Sequence, residues 1–146
     1  SSEHEVAEHL RTRREYCRAL LDLSRRQRAF IAESNYSELM SVIGRKQRVL
    51  GRLDALKQQD PALVANWKSR RAELSAAARN RCEELLHETE SILANLIAEE
   101  KTCTDELTRR RDETSRQLAE TSSGRRAHRA YGTPQPDEHR YLDVNQ

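Results

Sequence analysis

Glu84 and His87 stand three residues apart, a spacing that lays a carboxylate and an imidazole on one face of a helix. Carboxylate-bridged di-iron bundles use that pair, but they also need a second Glu-x-x-His and two further glutamates. Glu5 with His9 has i,i+4 spacing and Glu8-His9 are adjacent, so neither completes the set. These pairs read as solvated Glu/His faces, and no metal or other cofactor is expected. Cys17, Cys82 and Cys103 are widely spaced and odd in number, without a CxxC pair, which does not describe a disulfide framework. They fall on or beside apolar stripes, where a free cysteine acts as a small hydrophobe. No glycine-rich phosphate loop and no nucleophile elbow is present. Long helices with short turns offer few loops for a concave site, so no catalytic residue and no enzyme activity are expected.

Three arginine clusters raise a polyanion as partner: Arg11, Arg13 and Arg14; Arg25, Arg26 and Arg28; Arg109, Arg110 and Arg111. Yet 26 basic residues face 24 acidic ones, a formal charge of +2, and glutamates are interleaved nearly throughout. Phosphate recognition ordinarily brings a larger excess, and base recognition an aromatic platform. A mixed-charge solvated face built from i,i+3 and i,i+4 pairs accounts for the pattern, and no nucleic-acid partner is expected. No segment approaches the roughly 18 apolar residues of a membrane span, and no signal-peptide pattern precedes Val6. With the unpaired cysteines, a reducing, cytoplasmic location without direct membrane insertion is expected.

The elements follow from apolar spacing and from breakers. Tyr16, Leu20, Leu23 and Phe30 fall at heptad spacing in a first helix over residues 4–33, with Gln27 interrupting the seam. Asn35, with Glu38 three residues later, starts a second helix carrying Leu39, Ile43, Leu50, Leu53 and Leu56. Gly44 and Gly51 sit inside it, seven residues apart, as sites of close backbone approach or as tolerated surface glycines. Asp60-Pro61 reads as the N-cap and first residue of a third helix. From Ala62 to Ser123 there is neither glycine nor proline, so that helix is expected to continue to residue 121, with Asn80 the alternative point of division. Gly124, Gly132, Pro134 and Pro136 then mark a tail. The expected fold is all-α, an antiparallel bundle of three long helices over residues 1–121 with a flexible tail over 122–146. The third helix is longer than the first two can cover.

The run from Ala32 to Leu39 (AESNYSEL), followed by Lys46-Gln47-x-x-Leu50-x-x-Leu53-x-x-Leu56, resembles the FlgN-type flagellar export chaperone family. Ala130-Tyr131-Gly132 is similar to a Tyr-Gly element of that family's tail, while Asn35 stands where an aspartate is usual. The resemblance implies a cytoplasmic chaperone for the hook–filament junction proteins. Its partners are the C-terminal helices of these hook-associated proteins and a component of the membrane export gate, with Tyr131 offered to that gate. A substrate helix docking along the third helix meets Leu96, Ile97, Cys103, Leu107 and Leu118. The alternative is a coiled-coil structural or adaptor protein that forms a homodimer or larger oligomer through the same seam.

Overall fold

The computed structural model describes residues 2–131. They form α1 (Glu3–Ala32), α2 (Tyr36–Gln59), α3 (Trp67–Arg71) and α4 (Ala76–Tyr131), with no strand among the described residues. The chain divides into two compact units, residues 1–106 and residues 107–146.

In the first unit, α1 closes with the Ser34 backbone in the left-handed region (φ 56°). The Asn35 amide donates to the Phe30 carbonyl (2.9 Å) and the Ser34 amide to that of Ile31 (3.1 Å), the paired bonds of a Schellman end. Asn35 then caps α2, its side chain accepting from the Glu38 amide. Three residues thus reverse the chain, and α2 runs antiparallel to α1. Residues 19–26 of α1 lie beside residues 45–52 of α2. Numbers rise together on α1 and α4, where Arg14 bonds Glu88 (2.7 Å) and Ser24 bonds Glu100 (2.5 Å), so these two helices run parallel.

The long third helix expected from residue 61 does not form as one piece. Asp60 ends α2, residues 61–66 make consecutive turns, and α3 is a single short helix before α4 starts at Ala76. The reason is burial. Leu63, with Trp67 and Leu74 partly buried beside it, folds onto a cluster of Val6, Ala7, Leu10, Cys82 and Leu85. A straight helix would spread Leu63 and Leu74 about 16 Å apart along one face, whereas the turns gather them on a single cluster. Polar contacts fix the detour: the Arg70 guanidinium grips both Asp60 carboxylate oxygens (2.9 and 3.1 Å), and Arg79 donates to the Arg71 and Leu74 carbonyls. Ser75 caps α4 by accepting from the Ala78 amide (3.2 Å), and the Glu3 carboxylate accepts from the Ser75 amide and hydroxyl. The helix boundary therefore falls at Ser75, five residues before Asn80.

A second cluster joins Ile31, Leu39 and Cys103, with Phe30 and Ile43 packed against it. In the second unit, residues 107–131 are helical, about 37 Å of helix at 1.5 Å per residue. Gly124 lies within it and takes no positive φ, so helix continues ten residues beyond 121. The rest of the expected tail, from residue 132, lies outside the described residues.

Candidate functional site

Leu107 and Leu118 are eleven residues apart, which returns the helix to within about 20° of the same direction at 100° per residue. They are 39% and 45% exposed. Thr114 and Thr121 stand on the same side, with the Thr121 hydroxyl donating back to the Gln117 carbonyl (2.8 Å). The face is thus two exposed leucines about 16 Å apart with threonine side chains between and beyond them. Tyr131, at the end of the described helix, is 94% exposed.

The other expected contacts belong to the first unit. Ile97 is 70% exposed and Leu96 half-buried. Cys103 differs: at 1% exposure it packs against Ile31 and Leu39, with its thiol directed at the Ser24 carbonyl (3.8 Å). Its expected role as an open contact is replaced by one in the core, because α1 and the start of α2 reach far enough to cover it.

Next to Cys103, Lys46 reaches between the helices. Its ammonium donates to the Gln27 side-chain oxygen (2.7 Å) and to the Glu100 carboxylate, which also accepts from the Ser24 hydroxyl. Burial alone raises the Glu100 pKa, but the hydrogen bonds from Lys46 and Ser24 outweigh it and hold the carboxyl below its ordinary value. One cation thus ties α1, α2 and α4 together. Gln27, an interruption in the heptad seam, is the acceptor this cation requires.

A cleft of about 500 Å³ lies among α1, the end of α2, the 60–65 turns and Leu93. Its lining includes Cys17, His9 and Asp60, the residue types of a thiol hydrolase. They do not form one. Cys17 is buried and burial pushes its thiol pKa up, no hydrogen bond joins it to His9, and Asp60 is gripped by Arg70. Burial lowers the His9 pKa, with Arg13 and Arg70 adding to the effect against the pull of Asp60. Among the described residues, no three His, Cys, Asp or Glu side chains gather to hold a metal ion. No described helix is long and apolar enough to cross a membrane.

Compared with known protein families, the chain matches FlgN protein over residues 2–136. It belongs to the FlgN family. The match takes in α1 to α4 and extends past Tyr131, so the whole described structure lies within the family's span. FlgN proteins are chaperones of flagellar biogenesis and type III export, a role with which an all-helical chain is consistent. Searches of characterised proteins and of solved structures give no match.

Proposed function

We propose that this FlgN protein is a cytoplasmic chaperone that binds the C-terminal helices of hook-associated proteins and delivers them to the export gate. The observation that carries the reading, beyond the family itself, is the second unit: a helix over residues 107–131 that keeps Leu107 and Leu118 exposed on one face. Exposed leucines at that spacing cost solubility in isolation and match an amphipathic helix that brings its own apolar stripe. Leu96 and Ile97 offer apolar surface on the first unit, and Tyr131 is the residue presented to the gate. The surface is narrow, so affinity rests on a few apolar anchors.

Size-exclusion chromatography of the full chain with the purified C-terminal segment of a hook-associated protein tests this. Co-elution as one complex at micromolar concentration is expected. Free segment beside a chain that only associates with itself would favour the oligomerising adaptor instead.

A further inference from the structure

Between α1 and α2 runs a furrow of about 300 Å³ whose lining holds four arginines, Arg26, Arg45, Arg48 and Arg52, and a single acid, Asp22. Its floor is apolar: Leu23 is buried, and Ala19 and Val49 are half-buried. No carboxylate among the described residues lies within ion-pair distance of any of these four guanidiniums. What sets them apart is their gathering in one recess. Arg11, Arg14, Arg18, Arg28, Arg70 and Arg71 each hold a glutamate or aspartate.

Like charges gathered without partners repel one another and contribute nothing to holding α1 on α2. They do create a positive field over a recessed apolar strip. Arg45, Arg48 and Arg52 follow i, i+3 and i+7 spacing on α2, a row about 10 Å long. Gly44 and Gly51 border this row; a Cβ at Gly51 would meet nothing within 4 Å, and one at Gly44 only the Arg48 guanidinium at 3.8 Å. A ligand that matches must carry carboxylates in a row of the same length beside an apolar stripe.

We propose that this furrow docks an acidic amphipathic helix of a partner protein, its glutamates on Arg26, Arg45, Arg48 and Arg52 and its apolar side chains on Leu23 and Val49. A nucleic-acid backbone would use the arginines and leave the apolar floor empty, and the furrow has no aromatic side chain on which a base could stack. A lipid surface needs protruding apolar groups, whereas these are recessed. The surface lies wholly within the first unit and is independent of the proposed substrate strip at Leu107 and Leu118.

The test uses the full chain and a fluorescent helical peptide of about 20 residues, with leucines on one face flanked by glutamates at i, i+3 and i+7. Fluorescence anisotropy should show binding that weakens with salt, by about tenfold or more in Arg48→Glu/Arg52→Glu, and equally when the peptide glutamates become glutamines. Undiminished binding of the glutamine peptide, or of the glutamate peptide to the variant, overturns the proposal. So does binding only to a single-stranded oligonucleotide or to phosphatidylglycerol vesicles. A measurement without any ligand accompanies it. Arg45→Gln/Arg48→Gln should raise Tm by roughly 1–2 °C at low salt as repulsion is relieved. A fall in Tm would assign these arginines to the fold and contradict the proposal.

Discussion

Lys46 shows how one residue can set the geometry of three helices. Its side chain is 13% exposed and its ammonium is shared between Gln27 and Glu100. Replacing it by methionine strands the Gln27 oxygen and leaves Glu100 with Ser24 alone. Lys46→Met should cost about 1–3 kcal/mol in denaturant unfolding. That is less than the roughly 3–5 of a fully buried broken pair, because the Glu100 side chain is 42% exposed and keeps access to water. The same site sets the sign of the pH dependence. Glu100 has its pKa lowered by folding, so its contribution is complete above the ordinary glutamate value of about 4.3 and is lost as pH falls through the folded value. His9 is also depressed, so burial of its neutral ring stabilises above about pH 6.5 and opposes folding as the pH falls below it. Thermal melts of the wild type should therefore show Tm falling from pH 7 to about 3, with a shallower fall below about pH 4.3 in Glu100→Gln. Identical slopes would remove Glu100 from the explanation. Neither partner of Lys46 was legible in the sequence. Gln27 reads as a defect in a stripe until the cation on another helix is seen to need it.

At the scale of elements, periodicity and caps located α1 and α2 closely: Asn35 caps α2 as its spacing to Glu38 predicts, and the helices end within a residue or two of the apolar runs. The segment from 61 to 75 was misread because absence of glycine and proline permits helix without requiring it. Leu63, Trp67 and Leu74 pack together on the cluster around Leu10 once the chain turns, and tertiary burial outweighs local propensity there. The available signal was Ser75 before three alanines, a good cap lacking the glutamate that completes a capping box. If Leu63 drives the detour, Leu63→Ala should cost about 2–4 kcal/mol, as for a core leucine. A loss under 1 kcal/mol in chemical denaturation would mean the Asp60–Arg70 and Ser75 contacts suffice without it. Gly124 was misread in the opposite sense: an isolated helical glycine costs about 1 kcal/mol, too little by itself to end a helix.

At the scale of the whole molecule, the two units divide the apolar surface unequally. The first buries its seam in two clusters, including Cys103, which sequence spacing had grouped with the open contacts. The second keeps Leu107 and Leu118 exposed. The family and its chaperone role were legible because the turn sequence and the leucine spacing of α2 lie within one contiguous stretch. The arginine furrow was not, because Arg26 and Arg45 are adjacent only after α1 and α2 fold back on each other. The central claim is that the 107–131 helix holds the substrate. Isothermal titration of the full chain with the C-terminal segment of a hook-associated protein tests it most directly, with wild type beside Leu107→Arg/Leu118→Arg. The account predicts a Kd at or below about 10 μM for wild type and a loss of about tenfold or more in the variant, with Tm unchanged. Equal affinity in the two proteins would contradict it.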